Sequence, residues 1–228
     1  ILIFNPGKYR SKIMTILKKL KIKSYDQGKL IIIKKTKEIK KPNSLVSVIM
    51  AVYNSQKFIT QAIESILDQT YSNFEFIIID DASTDNTNKI IKEYAIKDKR
   101  IKPLKNNINL GLTKSLNIGI KKSRGKFIAR QDYDDVSHKR RLEIQINFML
   151  LNKEYQLIGS NYSIIDKNGD FILLNSKKSK GSKRIQKIVN MNVNPFVHGS
   201  LFIRKKVFEK YGNYNEFFET SQDYELIN

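Results

Sequence analysis

From Leu45 onward the chain alternates short, almost wholly apolar runs with longer amphipathic ones, and that rhythm admits very few folds. Leu45 to Val52 is nearly all apolar and partly β-branched, the composition of a strand buried on both faces. Asn54-Ser55 is placed to cap the next helix, whose apolar face is Ile59, Ala62, Ile63, Ile66 and Leu67. Phe74 to Ile79 predicts a second buried strand, ending in Asp80-Asp81. A helix is expected over 87–96, a short strand from Ile101 to Leu104, and a helix over 112–120 after the turn Asn109-Leu110-Gly111. A fourth strand, Phe127 to Ala129, runs into Asp132-Tyr133-Asp134-Asp135, and a helix is expected over 138–151. Strands and helices alternating through short loops require a parallel sheet with right-handed crossovers.

In such sheets ligands bind outside the carboxyl ends of the strands. Three features fall on that edge: the segment Ala51 to Tyr53, the pair Asp80-Asp81, and Asp132 with Asp134. Residues two apart in an extended segment share a face, and two carboxylates there repel each other unless a cation sits nearby. Hard oxygen ligands suit magnesium or manganese held together with substrate phosphates. One reading is therefore a metal–diphosphate site; the other is a solvated acidic turn that starts the following helix. No glycine-rich phosphate cradle occurs at these turns, so a bound nucleotide would need a cation for its phosphates.

Beyond the acidic cluster the pattern changes. A strand is expected from Leu157 to Ile165, a hairpin turn at Asn168-Gly169, and a return strand from Phe171 to Leu174. Ile185, Ile188 and Val189 suggest a short helix, and the loop Asn194 to Ser200, with His198, leads into a strand from Leu201 to Ile203. A short helix over 207–210 follows, and another starts near Ser221-Gln222-Asp223. Asp223 reads either as a first-turn helix carboxylate or as a general base aimed at the sheet edge.

The 228 residues suffice for one large α/β domain. The chain starts without Met and stops inside an expected helix, so it is taken as a fragment of a longer protein. Residues 1–44 are separated as a basic extension, ending in the linker Pro42-Asn43-Ser44; 45–228 form the main domain. Ile13, Ile16, Leu17 and Leu20 recur at helical spacing among lysines, which suits a helix packed on a neighbour or one lying on a membrane surface. No run approaches the length of a membrane span. Absence of cysteine excludes disulfides and thiolate metal sites and agrees with a reducing compartment. A net charge of +20 favours anionic partners, but no nucleic-acid-binding motif accompanies it.

Together these stretches resemble glycosyltransferase family 2 with the GT-A fold, over about Leu45 to Asn228. The segments that carry the likeness are Val46 to Asn54, Ile79 to Thr87, Asn109 to Leu112 with Asn117 to Gly119, Asp132-Tyr133-Asp134-Asp135 as a D-x-D motif, and Ser221 to Tyr224. The resemblance implies a mostly parallel, Rossmann-like sheet flanked by helices, with a smaller antiparallel acceptor-side portion. It implies inverting, metal-dependent transfer of a sugar from a nucleotide donor, taken as a UDP-sugar, to a glycan or lipid-linked acceptor. Ala51 and Tyr53 would flank the base and ribose, Asp81 would accept a hydrogen bond from the base, and Asp132 would lie near ribose and diphosphate. Asp134 would be the ligand of Mn2+ or Mg2+, with Asp135 beside it. Lys114 would supply charge, His198 would lie on the acceptor side, and Asp223 would be the catalytic base.

Departures from the family pattern are Gln222 in place of a Glu beside the base, Tyr133 in place of a small residue, Lys114 where an Arg is common, and Gly199 where Pro often follows the His. No Trp is present, so the Gln-x-x-Arg-Trp motif of processive synthases is absent from this sequence. The expected location is the cytoplasm, peripheral to the inner face of a membrane. The alternatives are a metal-dependent nucleotidyltransferase and a non-catalytic basic binding module.

Overall fold

The computed structural model describes residues 42–166, 171–175 and 196–217. Strand β1 (Val46–Val52) is buried at every position, as is β2 (Phe74–Asp80). They pair in parallel in register Val46–Phe74 to Val52–Asp80, so both chains leave the sheet at the same level. Outside β2 lies β3 (Ile101–Lys105), and on the other side of β1 lies β4 (Phe127–Arg130); both are parallel to their neighbours. Two antiparallel strands complete the sheet, β8 (Phe202–Arg204) against β4 and β5 (Leu157–Ile158) against β8, in the order β3-β2-β1-β4-β8-β5. A separate antiparallel pair is formed by β6 (Tyr162–Ile165) and β7 (Phe171–Asn175).

Because successive strand residues face opposite sides, the central strands feed two cores. Val46, Val48, Met50, Val52, Phe76 and Ile78 pack on one face beneath α1 (Ile59–Leu67), α2 (Thr87–Lys97) and α4 (Arg141–Leu151). Ile49, Ala51, Ile77, Ile79 and Ile128 pack on the other beneath α3 (Leu112–Lys122) and α5 (Lys205–Tyr211). Each fully buried Ile or Val side chain contributes about 1.5–3 kcal/mol, which is why these strands read so plainly in the sequence. Helix α3 lies close to the sheet because Gly119 faces it: a Cβ there would stand 2.7 Å from Ile49 Cγ2 and 2.8 Å from Ile79 Cδ1. Pro103 is accommodated because β3 is a rim strand, where a missing N–H costs no ladder bond.

Three expectations are corrected. Asn54-Ser55 does not cap α1, which begins four residues later without a side-chain cap; Asn54 turns away to bind the loop after β2. The helix expected from residue 138 begins at Arg141. The Gln69 amide stands in for an earlier helical turn, its Nε2 donating to His138 O at 3.0 Å and its Oε1 accepting Leu142 N at 2.9 Å, while Lys139 O accepts Thr70 N at 2.9 Å. The single strand expected over 157–165 is two. Gly159 lies against the Phe196 ring and Ser160 N donates to Ser200 Oγ at 3.2 Å, which turns the chain out of the ladder. The last strand and α5 begin within two residues of the expected positions. The elements expected in residues 1–41, at Asn168-Gly169, over 185–189 and around 221–223 lie outside the described residues. No helix among the described residues is long and apolar enough to cross a membrane.

Candidate active site

The parallel strands β1, β2 and β4 deliver their carboxyl ends to one edge, and each end carries candidate residues. Ala51 is buried in the α3-side core, and Tyr53, one residue past β1, is 46% exposed at the rim. Asn54 adopts φ +46° and receives Thr84 N on its side-chain oxygen at 2.8 Å, while its own N–H donates to Ser83 Oγ at 3.0 Å. Ala82 sits at φ +62°, in the left-handed region. These bonds lock the loops after β1 and β2 together.

Asp80 and Asp81 have different tasks. Asp80 is fully buried; it receives Ser83 N at 3.0 Å and Asn88 Nδ2 at 2.7 Å, and so shapes its own loop. Asp81 reaches across to the start of α3. Its carboxylate accepts Asn106 Nδ2 at 2.7 Å, Leu110 N at 2.9 Å and Gly111 N at 2.8 Å. Asn106 also donates to Ser115 Oγ at 2.9 Å. A carboxylate at a helix N-terminus is favoured by the helix dipole. Three of its roughly four acceptor positions are thereby used, and the residue is only 3% exposed. Lys114 is exposed on the first turn of the same helix, beside Ser115.

The acidic segment after β4 is held from below. Gln131 is buried, and its amide donates to the backbone oxygens of Asp132 at 3.0 Å and Asp135 at 2.8 Å. Asp132 Oδ1 is paired with the buried Arg130 at 2.6 Å. Arg130 also donates to the backbone oxygens of Ile49 and Gln131.

Residues 198–200 form a 3-10 turn that sits directly over this segment. A Cβ on Gly199 would stand 2.3 Å from Asp135 Oδ2 and 2.7 Å from Asp132 Oδ2, so both carboxylates close on the same bare Cα. That explains the absence of a larger residue after His198. Asp134 is exposed. Asp135 is likewise exposed by surface area, yet its carboxyl is enclosed by enough protein that desolvation pushes it up to about 6, and Asp132 and Asp134 add repulsion that Arg141 and Arg130 only partly offset. Among the described residues no three acidic or imidazole side chains already form a cation-holding group. The all-oxygen donor set nevertheless suits a hard divalent ion, which would offset the mutual repulsion of Asp132, Asp134 and Asp135.

His198 is half-buried, with Nε2 3.1 Å from Tyr214 Oη. Burial, with Arg130 nearby, pulls it down to about 3, so it is neutral at physiological pH. Tyr214 is tied in turn to α3, its N–H donating to Asn117 Oδ1 at 3.1 Å and its carbonyl accepting Asn117 Nδ2 at 2.9 Å.

The structure thus brings Tyr53 and Asp81 to one corner of the edge. Asp132, Asp135 and His198 gather at another corner, beyond β1, with Asp134 at its surface. Asp223 lies outside the described residues. Sequence reasoning missed Asn106, Arg130, Gln131 and Arg141. The only signal for the last three is the placing of long polar residues on either side of an acidic run.

Comparison with known proteins gives a consistent picture. Residues 47–212 match the model of glycosyl transferase family 2. The chain is 37% identical over 174 residues to the putative glycosyltransferase EpsE of Bacillus subtilis, covering 74% of this chain and 59% of that protein. It is 38% identical over 184 residues to the O-antigen biosynthesis glycosyltransferase WbnJ of Escherichia coli, covering 80% and 70% respectively. It is 42% identical over 124 residues to UDP-Glc:alpha-D-GlcNAc-diphosphoundecaprenol beta-1,3-glucosyltransferase WfgD of Escherichia coli, covering 54% and 48%. The chain therefore spans about half to two-thirds of the length of these relatives.

Two solved structures share the fold. One is residues 1–349 of Staphylococcus aureus TarS in complex with UDP, with TM-score 0.67 and 23% identity, covering 80% of this chain and 53% of that one. The other is the mannosyltransferase PcManGT of Pyrobaculum calidifontis with GDP-Man and Mn2+, with TM-score 0.63 and 15% identity, covering 95% and 57%.

Proposed function

Since this chain belongs to glycosyl transferase family 2, we propose that it transfers a sugar from a nucleotide diphosphate donor to an acceptor hydroxyl in the assembly of a surface polysaccharide or glycoconjugate. The observation that carries the reading is the sharing of one sheet edge by Asp81, next to the exposed Tyr53, and by an acidic segment suited to a cation. The family match leaves the nucleotidyltransferase and binding-module alternatives without support.

In this reading the donor is a UDP-sugar. Its base lies between Tyr53 and Asp81, with Ala51 forming the floor and Lys114 adding positive charge, and its ribose and diphosphate extend toward Asp132. TarS is solved with UDP and WfgD is named for UDP-Glc, whereas PcManGT is solved with GDP-Man; the base is thus the feature most in need of testing. Mn2+ or Mg2+ would be held by Asp134, with Asp132 and Asp135 beside it, and would supply positive charge at the diphosphate as it departs. Asp223 removes the proton of the acceptor hydroxyl. That oxygen bonds to the anomeric carbon from the face opposite the diphosphate, the glycosidic bond to the diphosphate breaks, and the configuration inverts. The neutral His198 and Tyr214 line the acceptor side. The acceptor is a glycan or a lipid-linked sugar, the latter suggested by the name of WfgD, and the enzyme would work at the cytoplasmic face of a membrane with peripheral contact.

The test is a panel of UDP-, GDP- and TDP-sugars screened by thermal shift and turnover with Mn2+ or Mg2+. Metal-dependent binding of UDP-sugars, lost in Asp134→Ala, is expected. Asp223→Asn should lower kcat by orders of magnitude with UDP affinity intact, because the base acts only in the transition state. A chain indifferent to every nucleotide sugar, with or without divalent ions, refutes the proposal.

A further inference from the structure

Beneath the acidic segment lies a cation that touches no carboxylate. Arg141, the first residue of α4, is buried. Burial pulls its guanidinium down to about 10, which leaves it charged at neutral pH. All five of its N–H groups are used, and every acceptor is neutral. Nε donates to Gln145 Oε1 at 3.2 Å. One terminal nitrogen donates to Gln131 Oε1 and to Ser137 Oγ, each at 3.0 Å. The other donates to the backbone oxygens of Arg130 at 2.6 Å and Leu201 at 3.4 Å.

These acceptors come from four separate places: the end of β4, the acidic loop, α4 itself and the residue after the His198 turn. Two partners extend the network. Gln131 carries the backbone of Asp132 and Asp135 on its amide, and Gln145 Nε2 donates to Ser200 O at 2.9 Å. Ser137 Oγ closes the ring on Gln131 Oε1 at 2.7 Å.

Desolvating a guanidinium is costly, and the cost is offset here only because every N–H finds an acceptor. The charges that this cation does act on are the Asp135 and Asp132 carboxylates above it. Only an arginine has five donors in a rigid fork; a lysine offers three on a flexible stem.

We propose that Arg141 is a positioning residue. Through Gln131, Ser137 and Gln145 it fixes the carboxylates of residues 132–135 against the His198–Ser200 turn, so that the diphosphate end of the site is formed before donor and metal arrive. The role rests on the glycosyltransfer reading above. It concerns only the acidic corner of the edge, because the Asp81 corner is built from β2, α3 and the loop between β3 and α3 and, among the described residues, shares no hydrogen bond with this network.

That separation makes the inference testable with two probes. Uridine reports the Asp81 corner alone, and UDP with Mn2+ reports both corners. In the wild-type chain, UDP with Mn2+ should bind much more tightly than uridine. Arg141→Lys should reduce that advantage at least fivefold and kcat at least tenfold, while uridine affinity, followed by ligand-observed NMR, stays within twofold. Gln145→Met, which removes the link to Ser200 and one of the five acceptors of Arg141 while keeping the guanidinium, should show the same pattern more weakly, and it decides the matter if Arg141→Lys does not fold. Equal loss of uridine and UDP binding in the variants would make Arg141 a general structural residue and overturn the inference. An unchanged Mn2+-dependent advantage in the variants would overturn it alone. If the wild-type chain shows no such advantage, the glycosyltransfer reading fails and this role fails with it.

Discussion

Asp81 Oδ1 accepts the side-chain amide of Asn106 across 2.7 Å inside the protein. With Leu110 N and Gly111 N on the same carboxylate, one side chain both starts α3 and ties it to the loop after β2. In Asp81→Asn an amide NH2 must face at least one of these donors, and an unmatched buried donor costs about 1–3 kcal/mol. The variant should melt several degrees lower and bind uridine weakly. An unchanged melting temperature would show that Asp81 does not hold the helix start.

Gly199→Ala inserts a methyl group where two carboxylate oxygens already converge at 2.3 and 2.7 Å. Either the 198–200 turn lifts or Asp132 and Asp135 move apart. Overpacking of this kind costs about 1–3 kcal/mol. Turnover should fall at least tenfold and binding of UDP with Mn2+ should weaken, with uridine binding preserved. Full activity in this variant is incompatible with the two carboxylates working as placed.

The Asp135 carboxyl stands at about 6 in the folded chain against an ordinary 3.8. On raising the pH the unfolded chain gives up this proton first. Between about pH 4 and 6 the folded chain holds more protons, so this group's contribution to stability declines through that window and is level above it. Carboxylates held low, such as Asp98 with Arg100 and Glu143 with Arg140, slope the other way at lower pH. The Asp135 effect is therefore read as a difference from Asp135→Asn. Melting curves in metal-free buffer should show the variant gaining on the wild type as pH rises from 4 to 6. Addition of Mn2+ to the wild type at pH 7.5 should have the same sign. A difference that does not vary with pH would remove the basis for the raised value.

Ala82 sits at φ +62°, a conformation that costs a residue with a Cβ about 1–2 kcal/mol. Glycine relieves that cost but gains freedom in the unfolded chain worth about 0.4–1 kcal/mol. Ala82→Gly should therefore raise the melting temperature slightly and leave donor affinity unchanged. A lower melting temperature would mean that the methyl group makes contacts outweighing the strain.

The legibility of the chain follows from what each residue answers to. Val48, Ile49, Met50, Phe76, Ile77 and Ile78 are buried whichever way they point, and such runs announce a parallel sheet from sequence alone. Placing Asp81 and Asp132 to Asp135 on one edge then needs only the rule for strand ends. The start of α4 escapes a local reading because Leu142 N and the carbonyl of Lys139 bond to Gln69 and Thr70, some 70 residues earlier in the chain. The break at Gly159 depends on Phe196 for the same reason. Arg141 escapes notice because a basic residue near a helix start ordinarily faces water; its role depends on five acceptors, most of them from outside its own helix and invisible to local periodicity.

The proline in β3 has a consequence beyond its own strand. Among the described residues the sheet is bounded by β3 on one side and by the two-residue β5 on the other. A flat strand with free N–H and C=O groups recruits strands from neighbouring molecules. Here one border is interrupted at Pro103 between Lys102 and Lys105, and the other is too short to template a partner. At high concentration the protein should resist edge-to-edge aggregation. Replacing Pro103 with Val is the change most apt to remove that protection.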